Sequence, residues 1–202
     1  MSSATLYRAS GLALLVGALL VIIGLPLSIV FPPDNPMALA MVGVWTGGAV
    51  LGQLGLPGIL VRQAKQAGWL GFVGFVLAFS GGFLIVSLFA VLDLTVFPYL
   101  DVHAPLASFQ FFTTNAAVTV YAAVASALYG IGGVLLGIAT IRARVFPRWA
   151  GVLLIVGVVS LGAFVNPFLI AAIVFGLLGL GGIGYTLLAA KGEAVPQPAL
   201  AS

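Results

Sequence analysis

This 202-residue chain has few side chains that could do chemistry, and they fall into two groups. The first is acidic and holds the only histidine: Asp93, Asp101 and His103, with Asp34 in an earlier gap. In an extended loop Asp101 and His103 share a face. There they could offer oxygen and nitrogen ligands to a divalent cation, or act as an acid–base pair. Scattered acids and one histidine also suit a plain solvated loop. The second group is uncharged: Gln53, Asn115, Tyr121 and Tyr129, each set among apolar residues. Gln53 on one helix and the other three on another would line a polar cavity for a neutral small molecule or a lipid headgroup. The same groups would equally serve as interhelical hydrogen bonds, which average ~0.6 kcal/mol each in lipid.

Several chemistries lack their residues. The chain has no cysteine, which removes disulfides, iron–sulfur clusters and thiolate haem ligation. One histidine cannot make a bis-histidine haem site. Neither Lys65 nor Lys191 sits in mid-helix, where a retinal Schiff base would need it. No nucleophile elbow, zinc-protease helix motif or phosphate loop is present. No carboxylate, lysine, arginine or histidine falls inside an expected span, whereas proton relays, ion-coupled carriers and voltage sensors place charges there. The sequence thus names no catalytic residue, no metal site and no cofactor.

The elements that must position these groups are membrane helices. The chain is 62% hydrophobic and 5% charged, whereas a soluble domain carries about a quarter charged residues. Its apolar runs are long and unbroken, unlike the short alternating segments of a barrel. The reading is all-α: a polytopic bundle of six transmembrane helices over 9–31, 37–61, 68–92, 115–141, 149–165 and 167–190. Residues 1–191 form a single membrane domain, and 192–202 a flexible cytoplasmic tail. The first run exceeds the ~7–15 residue core of a signal peptide, so it is read as a retained span. The stops are Pro32-Pro33-Asp34-Asn35-Pro36, Arg62 with Lys65, Asp93, Arg142 to Arg148, and Asn166-Pro167. Residues 93–114, with Phe109, Phe111 and Phe112, read as an outer loop carrying a short interfacial helix.

The cations give orientation. Arg8, Arg62, Lys65, Arg142, Arg144, Arg148 and Lys191 all fall in alternate gaps, on the side opposite Asp34, Asp93, Asp101 and His103. Lys and Arg resist translocation, so both termini are expected in the cytoplasm of a bacterial-type plasma membrane. Arg142, Arg144 and Arg148 form the densest basic group, suited to anionic lipid or an acidic partner. No basic stripe with interleaved aromatics is present, so nucleic acid is not an expected partner.

Glycine spacing suggests three tandem hairpins. Arg8-Ala-Ser-Gly11, Lys65-Gln-Ala-Gly68 and Arg148-Trp-Ala-Gly151 each precede a further glycine by six residues: Gly17, Gly74 and Gly157. Gly130-Ile-Gly-Gly-Val and Gly179-Leu-Gly-Gly-Ile each lie twelve residues before a cation. The Pro-x-acid-x-x-base signature of mitochondrial carriers, which also have three two-helix units, is missing. Gly43-x3-Gly47, Gly48-x3-Gly52 and Gly133-x3-Gly137 are expected packing faces, within one chain or between copies.

The functional expectation is a non-enzymatic structural, accessory or partner-binding membrane subunit. Its partners would be the lipid bilayer, anionic lipids, and a second copy or another membrane protein. One alternative is a facilitator of a neutral or lipid-like solute. The other is an enzyme or metal site at the outer face using His103 and Asp101.

Overall fold

The computed structural model describes residues 3–32, 35–161 and 166–189, and only the backbone of 3–4, 109, 161 and 166–176. Every element among them is helical: α1 (Ser3–Val30), α2 (Pro36–Val91), a π-helical turn (Leu92–Val96), α3 (Phe97–His103), α4 (Pro105–Thr114), α5 (Ala116–Ala143), α6 (Arg148–Leu161) and α7 (Asn166–Ala189). Three of these stretches are long and apolar enough to cross a membrane. Lys191 and the 192–202 tail lie outside the described residues, as do Pro33 and Asp34.

Local chemistry sets the ends. The helix α2 begins at Pro36, whose missing N–H costs nothing at a first helical position, and Asn35 caps it by accepting from the Met37 N–H at 2.9 Å. Asn115 caps α5 in the same way, accepting from the Val118 N–H at 3.2 Å. Arg144 ends α5 in the left-handed conformation (φ 55°, ψ 21°), the usual geometry of a helix C-terminus.

The helix α2 is folded back on itself. At 56 residues it would be about 84 Å long if straight, yet Gly82 lies against the Gln53 amide and Gly71 against Ala67. The break is Gly68, with φ 56° and ψ −149°, a conformation nearly restricted to glycine. Two antiparallel arms result, 36–67 and 69–91. The residues between Arg62 and Ala67, expected as a connection, are helical instead. Arg, Gln, Ala and Lys are good helix formers, so a charge that ends an apolar run need not end its helix.

The arms and the other long helices form a closed ring. The first arm lies against α1, the second against α5, α5 against α6, α6 against α7, and α7 returns to α1. Glycines make most of these seams, because backbones must approach closely where lipid supplies no hydrophobic drive. A Cβ on Gly11 would lie 2.7 Å from the Gly184 carbonyl oxygen, and one on Gly151 3.0 Å from that of Gly137. Gly11 and Gly151 are equivalent positions in the sequence repeat, and both make seams between hairpins. Gly17 and Gly74, also equivalent, pack instead on the second helix of their own hairpin, at Gly48 and Leu136.

The expected packing glycines divide. Gly48, Gly133 and Gly137 meet neighbours, and Gly52 receives Gly17, but Gly43 and Gly47 face open space. Gly81 and Gly132, absent from the expectation, make the tightest backbone contacts between the second arm and α5.

The ring brings the described cations to one end. Arg62 stacks over the Tyr7 ring at 5.3 Å, linking the end of the first arm to the start of α1, where Arg8 stands. Near the same end the Thr140 hydroxyl donates to the Leu136 carbonyl at 2.8 Å and lies 3.1 Å from the buried Gln63 amide oxygen. Arg142, Arg144 and Arg148 surround the α5–α6 connection and are all exposed. A core of Leu14, Leu56, Ile59, Leu136, Phe146 and Leu187, with Ile183 and Leu154, fills this half of the ring.

Candidate functional site

The opposite half of the ring is not filled. A cavity of about 310 Å³ lies between α1, both arms of α2, α5 and α7. Its walls are chiefly apolar, from residues such as Leu14, Val21, Leu25, Ile85 and Leu180. The second arm contributes Gly82, Val86 and Phe89, and the π-helical turn after it Asp93, spaced by four, three and four, so one helix face runs along the cavity. From Gly82 to Asp93 is eleven residues, or about 16 Å of helix. The cavity is therefore elongated, running from mid-bundle to the acidic end.

Two of the four uncharged candidates belong to it. Gln53 projects from the first arm onto Gly82, where the lack of a side chain leaves room for the amide. Tyr129 reaches the same level from α5, its backbone resting against Gly81. Both line the cavity. Neither the Gln53 amide nor the Tyr129 hydroxyl has a hydrogen-bond partner among the described residues, and the Gln53 Oε1 is wholly buried. Buried polar groups are nearly always paired, and an unpaired one costs about 1–3 kcal/mol. The Gln53 Nε2 and the Tyr129 hydroxyl, neither of them sealed in as Oε1 is, are left to pair with a molecule in the cavity.

Asn115 and Tyr121 stand elsewhere. The Asn115 side chain is occupied as the α5 cap. Tyr121 faces away from the cavity, its hydroxyl 3.4 Å from both the Leu84 carbonyl and the Ser87 hydroxyl. It borders a shallow apolar surface depression with Leu84, Ala117 and Val120.

Of the described members of the acidic group, Asp93 alone joins the cavity. It follows the second arm, in the π-helical turn, one residue past the expected span 68–92. Among the described residues it has no hydrogen bond and no ion pair. Burial raises its carboxyl from 3.8 to about 6, because the charged form loses water without gaining a partner. Trp45 and Phe89 line the same cavity. Phe89 also belongs to an aromatic cluster, with Phe112 at 6.5 Å, Phe97 on Phe112 at 6.2 Å, and Phe111 edge-on to Phe97 at 5.6 Å. That cluster ties α3 and α4 to the second arm.

His103 and Asp101 are not brought together. His103 is exposed, bonded through Nδ1 to the Tyr99 carbonyl at 2.9 Å and stacked on the Tyr99 ring. It has no contact with Asp93 or Asp101 through a hydrogen bond or ion pair, and no group of three potential metal ligands occurs among the described residues. Helical winding over 97–103 turns Asp101 and His103 to different faces, since the shared face assumed an extended loop.

The cavity role of Asp93, Trp45 and Gly82 was not visible in the sequence. The signal was the four-three-four spacing in the second arm, which runs past the last apolar residue into the acid. Comparison with known proteins returns no matching family model, no matching curated protein and no matching solved structure.

Proposed function

We propose that this chain is a six-span protein of a bacterial-type plasma membrane, with both termini cytoplasmic, that takes a small, largely apolar solute into its outer-facing cavity. The six crossings are α1, the two arms of α2, α5, α6 and α7. The described part of α6, 14 residues, accounts for about 21 Å of a ~30 Å core. The basic end lies inside, where Arg142, Arg144 and Arg148 meet anionic headgroups.

The observation that carries the solute reading is that the Gln53 amide and the Tyr129 hydroxyl, both unpaired among the described residues, line a chiefly apolar cavity. Concave apolar sites with a few convergent polar groups are the usual form of small-molecule sites. The solid core of the basic half closes the cavity on that side, as a carrier or facilitator requires between crossings. Among the described lining residues no nucleophile is paired with a base, and the proposal is binding or passage without chemistry.

Trp45 tests this directly. In a Trp69→Phe/Trp149→Phe background it is the remaining tryptophan, and it lines the cavity. Phenylbutanol added to the protein in nanodiscs should give a saturable change in Trp45 emission. Gln53→Leu and Tyr129→Phe should each weaken binding about fivefold, one hydrogen bond's worth. A response that never saturates, or that ignores both substitutions, overturns the reading.

A second reading rests on a different observation. Gly43 and Gly47 are exposed on one face of the first arm with nothing packed on them. Such a face suits another helix, in keeping with an accessory subunit or a homo-oligomer.

A further inference from the structure

We infer that the solute carries a cationic nitrogen: the cavity is built for an amphipathic amine, its ammonium at Asp93 and a hydrogen-bonding group farther along its apolar body at Gln53 and Tyr129. This rests on the solute-binding reading above and goes beyond it by naming the ligand's charge.

Three observations point the same way. First, the Asp93 carboxylate lines the cavity and has no partner among the described residues. A carboxylate half removed from water without a counter-ion is costly, and a cation brought by a ligand relieves that cost through a charge-assisted hydrogen bond. Second, no cation among the described residues stands there. Arg8, Arg62, Lys65, Arg142, Arg144 and Arg148 stand at the other end of the ring, so the acidic end has a negative charge that nothing described neutralises. Third, Trp45 and Phe89 line the cavity with Asp93. Aromatic faces beside a carboxylate are the surroundings that hold an ammonium group, through the ring quadrupole. The volume of about 310 Å³ corresponds to roughly ten water-sized groups. That suits a slender molecule of about that many non-hydrogen atoms and excludes a two-chain lipid.

The arrangement also assigns roles. Asp93 selects charge at the outer end, Phe89 and Trp45 shield the pair from water, and Gln53 with Tyr129 reads a hydrogen-bonding group deeper in. A neutral molecule of the same shape would use only the deeper groups.

The test compares phenylbutylamine with phenylbutanol, which have the same skeleton and differ in charge. Binding is followed by Trp45 emission in the Trp69→Phe/Trp149→Phe protein, in nanodiscs of zwitterionic lipid at neutral pH. The amine should bind about tenfold tighter than the alcohol, the usual advantage of a charge-assisted contact over a neutral one. Asp93→Asn should bring the two affinities together by weakening the amine alone, and Asp93→Glu should restore most of the preference. Equal affinities in the parent protein, or a preference that survives Asp93→Asn, overturn the amine proposal while leaving solute binding intact. If neither compound gives a saturable response, the solute-binding reading itself fails.

Discussion

At the scale of single residues, the site depends on which polar groups are left without partners. Gln53 and Tyr129 were legible in the sequence because a polar residue inside a membrane helix stands out against its neighbours. Their orientation was less so. Eight residues at 100° each turn Tyr121 about 80° away from Tyr129 around α5, and only Tyr129 reaches the cavity. Asp93 was read as the end of a span, and so as a loop residue, although its spacing from Phe89 keeps it on the cavity face. Its titration has a definite sign. The carboxyl lies higher in the folded protein, about 6, than its ordinary 3.8, so between those values the folded state holds more proton. Stability from this group is therefore fully present below about pH 4 and is lost as pH rises through about 6. With partial exposure allowed for, the loss should be about 1–2 kcal/mol, a few degrees in thermal midpoint. Thermal melts of nanodisc samples from pH 4 to pH 8 should show this decline, and Asp93→Asn should flatten it. An unchanged slope in that variant would mean the carboxyl is solvated.

At the scale of elements, the helices were legible and their breaks were not. Apolar run length marks the long helices, but the charges at Arg62 and Lys65 suggest a connection where the chain stays helical until Gly68. The glycines show why spacing alone misleads. A G-x3-G pattern says that a face is small, not that a neighbour occupies it. Gly43 and Gly47 face open space, while Gly81 and Gly132, outside any such pattern singled out beforehand, touch backbone across a seam. Alanine substitution separates the cases. Gly81→Ala and Gly132→Ala should each cost about 1–3 kcal/mol, because a Cβ there must push two helices apart. Gly68→Ala should cost a similar amount for a different reason, since its surroundings are empty but its backbone conformation is not open to alanine. Gly43→Ala and Gly47→Ala should be neutral or stabilising by up to about 1 kcal/mol through helix propensity. Thermal midpoints of the purified variants check all five. A loss at Gly43 or Gly47 that appears together with reduced oligomer on size exclusion would favour the second functional reading.

At the scale of the whole molecule, the partition of charge that the sequence displayed along the chain becomes a polarity of the ring, with cations around one end and Asp93, Asp101 and His103 at the other. Because the chain has no cysteine, single cysteines report orientation cleanly. On intact cells a membrane-impermeant maleimide should label Leu106→Cys, at the exposed start of α4. Gln66→Cys and Arg144→Cys, both at exposed positions of the basic end, should label only after the membrane is opened. The reverse pattern would invert the proposed topology. The seam between Gly11 and Gly184 adds a constraint in time. Its two sides, Gly11 and Gly184, are made far apart along the chain. The helix α1 must therefore wait in the membrane with its glycine notch unfilled until α7 arrives. During that interval it is open to any helix with a small face, including one from a neighbouring nascent copy. Completion of the ring is thus a timed event, and a chain stalled before α7 would be recognisable to quality control by that vacant notch.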